Sequence, residues 1–158
     1  MHDELIRLGS GAHALAFQIL GNSEDAADAV HDAIAKALGK PGAYDANQGP
    51  LRPWFFRVVR NRCIDLLRQR RSVDATAEDI IDSAGGPDQL VEAQQRDAAI
   101  VRALQSLPTA QRETIVLRDY LDLSYAEIAG ILDVPKGTIM SRLHRSRLAL
   151  KEALAAYE

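Results

Sequence analysis

The chain has 158 residues, 47% of them apolar and 26% charged, which are the proportions of an ordinary globular protein and enough for one domain or two small ones. No apolar run approaches the length of a membrane span, and the N-terminus lacks a basic-then-apolar leader, so a cytoplasmic protein with no membrane insertion of its own is expected. The single cysteine, Cys63, excludes an internal disulfide, the histidines lack zinc-site spacing, and neither a metal nor a cofactor is implied.

A net charge of -3 argues against nucleic-acid binding until the charges are located. Arginines crowd the segment from Arg52 to Arg71, and Lys136, Arg142, Arg145, Arg147 and Lys151 form another basic group. Acid gathers at Glu24, Asp25, Asp28 and Asp32, and again between Asp74 and Asp88. Such segregation predicts two basic surfaces, an acidic surface and an acidic connector.

At the N-terminus, Leu5, Ile6 and Leu8 suggest a short helix that Gly9-Ser10-Gly11 is expected to interrupt. From Ala12, the residues Leu15, Ala16, Ile19 and Leu20 recur at helical spacing, and Gly21-Asn22 ends the element. Ser23 is the expected cap of the next helix, with Glu24 and Asp25 near the positive end of its dipole and Ala27, Val30, Ile34 and Leu38 as its buried stripe. The other face carries Asp25, Asp28, His31 and Asp32. Spacing alone leaves that face open between a solvated surface and a dock for a basic partner.

Residues 39–50 are rich in Gly, Pro, Asn and Asp and predict a loop. A long helix follows from about Leu51 to Arg71, with Pro53 in its first turn. Phe55, Val59 and Leu66 line one side of it, with Val58 and Cys63 beside them. Arg57, Arg60, Asn61, Arg68 and Arg71 share an opposite stripe. Trp54 and Phe56 near its start are either core or rings on which unpaired bases stack, and Cys63 is either a small buried residue or a redox switch.

Residues 72–89 lose periodicity, gain acid and contain Gly85-Gly86-Pro87, the signature of a flexible linker. The expected division is a domain at 1–72, an acidic linker at 73–89 and a second domain at 90–158, loosely coupled to the first. Helical periodicity resumes from Leu90 to Leu107, Pro108 closes that helix, and Thr109 is the expected cap of one through Ile115, Val116 and Leu117. Strand alternation appears nowhere. The predicted fold class is all-α, two small helical domains joined by a flexible linker.

The most informative stretch runs from Leu121 to Leu150. Ser124 and Glu127 form a capping box that starts a helix near Tyr125, with Ile128, Ala129, Ile131 and Leu132 on its apolar side. Asp133 occupies a turn position that requires a left-handed backbone, and Pro135 precedes a second helix starting around Lys136. Ile139 and Leu143 face inward, which turns Lys136, Thr138, Met140, Ser141, His144 and Arg145 outward or to the flanks. This is the pattern of a helix-turn-helix whose second helix enters a major groove by its N-terminal end. An amphipathic surface helix is the plainer alternative.

The runs HALAFQILGNSEDAADAVHDAIAKAL, LRPWFFRVVRNRCIDLLRQRR and LPTAQRETIVLRDYLDLSYAEIAGILDVPKGTIMSRLHRSRLALKEAL resemble, in that order, a bacterial sigma factor of the extracytoplasmic-function type, reduced to its second and fourth domains. The resemblance implies binding to core RNA polymerase, recognition of the minus-thirty-five promoter element by the fourth domain, opening of the minus-ten element by the second, and control by an anti-sigma factor. It places Lys136, Thr138, Met140, Ser141, His144 and Arg145 on the reading helix and Arg118 where a family arginine supports the DNA backbone. The stripe of Arg57, Arg60, Asn61 and Arg68 with Trp54 is then the minus-ten surface, Asn61 matching a family position near the bases and residues 44–49 the loop that holds a flipped base. Asp28, His31 and Asp32 fall on the helix that grips the polymerase clamp helices. Departures include Ile34 and Leu38 where the family often has aromatics, and His31 where it often has Gln.

A stand-alone helix-turn-helix regulator is the competing reading. It requires a dimer interface and leaves the arginine-rich helix unexplained. An enzyme finds no support in a nucleophile-base set, phosphate loop or carboxylate pair.

Overall fold

The computed structural model describes residues 1–40, 42–73 and 92–156, and the expected acidic linker, Val73 apart, lies outside them. The described chain forms α1 (His2–Leu20), α2 (Ser23–Gly39), α3 (Leu51–Val73), α4 (Glu92–Gln105), α5 (Thr109–Ile115), α6 (Tyr125–Leu132) and α7 (Lys136–Ala155). A 3-10 turn at Ala46–Gln48 and a π-helical turn at Val116–Tyr120 complete it, and no strand occurs among the described residues. The all-α expectation holds.

Contrary to the expected break at Gly9-Ser10-Gly11, α1 is continuous. Each interior glycine costs a helix about 1 kcal/mol relative to alanine, but continuity lets Leu5 reach the core with Ala12 and Leu15, and burying one leucine offsets about 1.5–3 kcal/mol. Gly11 has a separate role. A β-carbon there would lie 2.7 Å from the Leu121 side chain, so this glycine marks a close approach rather than a stop.

Gly21 closes α1 in the left-handed conformation, with φ 75°. Asn22, not Ser23, caps α2, its side-chain oxygen accepting from the Asp25 amide at 3.1 Å. The buried face of α2 also differs from the expected stripe: Ala26, Ala29, Val30, Ala33 and Ala37 face inward, Ala27 and Leu38 are exposed, and Ile34 is half-buried. Small side chains let α2 lie close on α1 and α3, which leaves the larger aliphatics at the rim. In α3, Phe55, Phe56, Val59 and Cys63 are buried, whereas Leu66 is only half-buried.

The second half starts with α4 and α5; Leu104 of α4, Leu107 of the turn between them and Ile115 of α5 form a small cluster with Ala149 and Leu150 of α7. Pro108 precedes α5 without a side-chain cap, and Thr109 is already helical; its hydroxyl instead accepts from the Arg112 guanidinium at 3.0 Å. The π-helical turn, with the Leu121 amide reaching the Val116 carbonyl at 2.9 Å, and the positive φ of Asp122 (57°) then redirect the chain toward α6.

The helix-turn-helix forms as expected. Ser124 Oγ accepts from the Glu127 amide at 3.1 Å and Glu127 Oε1 accepts from the Ser124 amide at 2.9 Å. Asp133 adopts the left-handed conformation at φ 57° and ψ 48°, and α7 starts at Lys136.

The two halves do not stand apart. Leu121, Leu123, Ile128, Ile131 and Ile139 belong to the same buried cluster as Leu15, Phe55, Phe56 and Val59. Loose coupling was the expectation; direct packing of α1 and α3 on α5, α6 and the π-helical turn is the finding.

The capping box gives a direct test of local energetics. Ser124→Ala is expected to destabilise the protein by about 0.5–2 kcal/mol, read as a lowered urea midpoint by circular dichroism. An unchanged midpoint would mean that the first turn of α6 does not depend on this cap.

Candidate nucleic-acid interface

On α7, Ile139, Leu143 and Ser146 are buried, which fixes the rotation of the helix. Lys136, Met140, Ser141, His144 and Arg145 are exposed and Thr138 is half-buried, so the residues expected on a reading helix do share an accessible side. Met140 is 53% exposed although nothing in the fold requires an apolar side chain there. Ser141 Oγ lies 3.2 Å from the Thr138 carbonyl and 3.3 Å from that of Gly137, so its hydroxyl is satisfied locally until another partner displaces it. Pro135 gives α7 no side-chain cap, and the first amides of a helix start are suited to a phosphate.

Arg118 is half-buried, unlike those exposed groups. It donates to the Leu123 carbonyl at 2.8 Å, and its guanidinium carbon lies 4.9 Å from the Tyr125 ring centroid. It therefore braces the entry into α6. Arg147 is held by Asp119, with Nε to Oδ2 at 3.0 Å, and this hydrogen bond raises its pKa.

On α3, Arg57, Asn61 and Arg68 are exposed, and Arg60 is not with them. Arg60 makes a two-pronged ion pair with Glu113 of α5: Nε to Oε2 at 3.0 Å and Nη2 to Oε1 at 3.3 Å. The side chains are 21% and 4% exposed, respectively. Trp54 is half-buried with its ring centroid 5.1 Å from that of Tyr44, whose hydroxyl donates to the Gly49 carbonyl at 2.6 Å. That contact ties the loop to the start of α3. Phe56 is core, with the Arg52 guanidinium 5.5 Å from its ring centroid.

Asp28, His31 and Asp32 are exposed together on α2. They line a cleft shared with Arg62, Leu66 and Arg70 of α3. Arg62 Nε pairs with Asp32 at 3.1 Å and Arg70 pairs with Asp25, so part of the acidic face is already neutralised from within the same half.

Sequence reasoning missed a polar seam between the halves. Gln18 of α1 is buried; its side-chain oxygen accepts from Gln105 at 2.9 Å and its carbonyl from Arg112 at 2.7 Å. Burial lowers the pKa of Arg112, and neighbouring Glu113 opposes that effect. Arg52 also donates to the Leu121 carbonyl. None of these residues stands out in sequence, because each acquires its burial from a helix distant in the chain.

The structure also decides between the readings of Cys63. Burial, reinforced by Glu113 and opposed by Arg62 and Arg60, pushes its thiol up to about 12. No described cluster of three or more His, Cys, Asp or Glu residues has metal-binding geometry, and no helix among the described residues is long and apolar enough to cross a membrane.

Residues 6–73 match the family model for sigma-70 region 2, and residues 97–150 match that for sigma-70, region 4. The chain belongs to the sigma-70 family, in its extracytoplasmic-function (ECF) group. Its relatives include the ECF RNA polymerase sigma factor SigM of Mycobacterium tuberculosis, 37% identical over 90% of this chain and 70% of that protein. SigE of Mycolicibacterium smegmatis is 32% identical over 98% of this chain; the chain spans 62% of that relative's length. Among solved structures, RpoE of Bartonella quintana in complex with the anti-sigma factor NepR superposes with a TM-score of 0.78, 27% identity and coverage of 97% of this chain and 95% of that one. CnrH in complex with the cytosolic domain of CnrY gives 0.72, 26%, 99% and 88%.

The raised pKa predicts that Cys63 resists a thiol-directed reagent at pH 8 in the folded protein and reacts on unfolding. An unfolded thiol ionises near pH 8.5, so above that pH only the unfolded state loses the proton, and the Cys63 contribution to stability falls as pH rises toward about 12. Rapid modification of the folded protein at pH 8 would contradict this.

Proposed function

We propose that this protein is a promoter-specificity subunit: it binds core RNA polymerase, directs initiation at promoters with a defined minus-thirty-five and minus-ten element, and is controlled by an anti-sigma factor. The observation that carries the reading is the co-occurrence, in order, of the region 2 and region 4 matches with an exposed basic helix in each. Its action is binding rather than catalysis, and its place is the cytoplasm, where core polymerase and promoter DNA lie. The SigM and SigE relatives are named as RNA polymerase sigma factors, and RpoE and CnrH are in complexes with NepR and the CnrY cytosolic domain. Superposition over nearly the whole chain on those two complexed sigma factors supports an anti-sigma partner for this chain as well.

In this reading residues 1–72 act as the region 2 domain and residues 90–158 as the region 4 domain, with 73–89 as the connector. Lys136, Thr138, Met140, Ser141, His144 and Arg145 read or contact the minus-thirty-five duplex, and Arg118 supports the backbone contact by bracing the turn. Trp54, Arg57, Asn61 and Arg68 meet the minus-ten strand; Arg60 joins them once it leaves Glu113. Asp28, His31 and Asp32 contact the polymerase. A stand-alone regulator would leave the region 2 half without a role.

The deciding experiment supplies the purified protein to core polymerase on a promoter template: promoter-directed transcripts that need both components are expected, and their absence across promoters recovered from cells that express the protein would refute the reading. Arg145→Ala should weaken minus-thirty-five binding by about 1–3 kcal/mol at matched salt, measured by footprinting of the polymerase complex. An unchanged footprint would place Arg145 off the DNA. Charge reversal in the Asp28→Lys, Asp32→Lys double variant is expected to reduce core polymerase affinity in a pull-down titration. Equal affinity would remove the acidic face from the polymerase interface.

A further inference from the structure

Among the described residues, the Glu113 carboxylate makes its side-chain hydrogen bonds to Arg60. Among the described residues its side chain is 4% exposed, and the group that meets its charge is Arg60, which comes from the opposite half of the chain. Among the described residues its direct ion pair is with Arg60, while Arg112 of α5 feels its charge without bonding to it, so closing the two halves supplies its partner. Arg60 in turn belongs by spacing to the stripe whose other members, Arg57, Asn61 and Arg68, are exposed. One arginine of the α3 basic surface is thus occupied by an acid supplied from α5.

We propose that the Arg60–Glu113 pair is an autoinhibitory latch: Glu113 holds the chain closed and withholds Arg60 from promoter phosphate until polymerase and DNA displace it. The proposal rests on the sigma-factor reading above, and it adds a closed state that the chain holds by itself, before any inhibitor binds. The chemistry suits a reversible contact. Removing one partner of a buried pair strands a charge, whereas separating the halves returns both groups to water together, so closure is specific without being strongly favoured. A phosphate offers the guanidinium the same two-pronged geometry as the carboxylate, so DNA is a direct competitor. The apolar contact of Leu121 on Gly11 fixes the approach of the halves, and the ion pair reports whether they have closed in register.

The test uses the whole chain with spin labels on Lys36→Cys of α2 and Glu152→Cys of α7, both exposed; Cys63, being buried, remains unlabelled. Glu113→Gln should lengthen and broaden the inter-label distance. It should also lower, by about three- to tenfold, the protein concentration that half-saturates promoter-directed transcription by core polymerase, because less of the chain is held in the closed state. Gly11→Leu, a helix-compatible wedge against Leu121, should open the chain to a similar degree with both residues of the ion pair unchanged in the sequence. The Arg60→Glu, Glu113→Arg double variant should restore the short distance while transcription stays weak, since α3 no longer presents an arginine at that position. An unchanged distance in Glu113→Gln would overturn the latch. A lengthened distance with unchanged half-saturation would overturn autoinhibition and leave the pair as a structural fastener. Failure of the sigma-factor reading is separable: no form would then support transcription, while the distances would still report on closure.

Discussion

Everything in this structure is arranged around the contact of Leu121 with α1 and α3. Each helix buries one face, and residues of both halves contribute to a single buried cluster. Gly11 provides the space, Phe56 shares the same buried cluster, and the Arg52 guanidinium donates a hydrogen bond to the Leu121 carbonyl. The π-helical turn just before Leu121 makes this possible, because its wider winding swings the chain so that Leu121 and Leu123 both face inward. The helix-turn-helix is then held against α3 through α6, while α7 keeps its Lys136–Arg145 side in solvent.

Charge separation follows from the same packing. Acid on α2 is partly met by Arg62 and Arg70 of α3, so the first half neutralises its inner edge and leaves Asp28 and His31 outward. Of the remaining arginines of α3, Arg57, Arg68 and Arg71 face solvent, whereas Arg52 donates to the Leu121 carbonyl and Arg60 crosses to Glu113. A protein of net charge -3 thereby presents two separate basic surfaces, an arrangement compatible with binding a polyanion at more than one point. The functional reading depends on that placement and not on the overall charge.

Local chemistry was legible in the sequence wherever a few neighbouring residues decide the outcome. The Ser124–Glu127 capping box, the left-handed Asp133, the start of α7 at Lys136 and the inward Ile139 and Leu143 all follow from contacts within one or two turns. The same holds for the exposure of Met140, Ser141, His144 and Arg145. Sequence failed where distant helices decide. Gly9 and Gly11 read as a break because their local propensity is poor, and only the passage of Leu121 explains Gly11 inside a continuous helix. On α2 only Val30 of the expected stripe is buried, because close packing against α1 and α3 favours the alanines over Ile34 and Leu38. Nothing in the local sequence marks Glu113 and Gln18, which are buried where they meet Arg60 and Gln105 of the opposite half.

The central claim is that the chain closes on one shared core rather than holding two independent halves. Small-angle scattering of the free protein tests it most directly. A chain of 158 residues closed in this way should give a radius of gyration near about 15 Å and a single-lobed distance distribution. A clearly larger radius with a two-lobed distribution would contradict the account, because Leu121 and Glu113 would then be in water and the seam between the halves would not exist in solution.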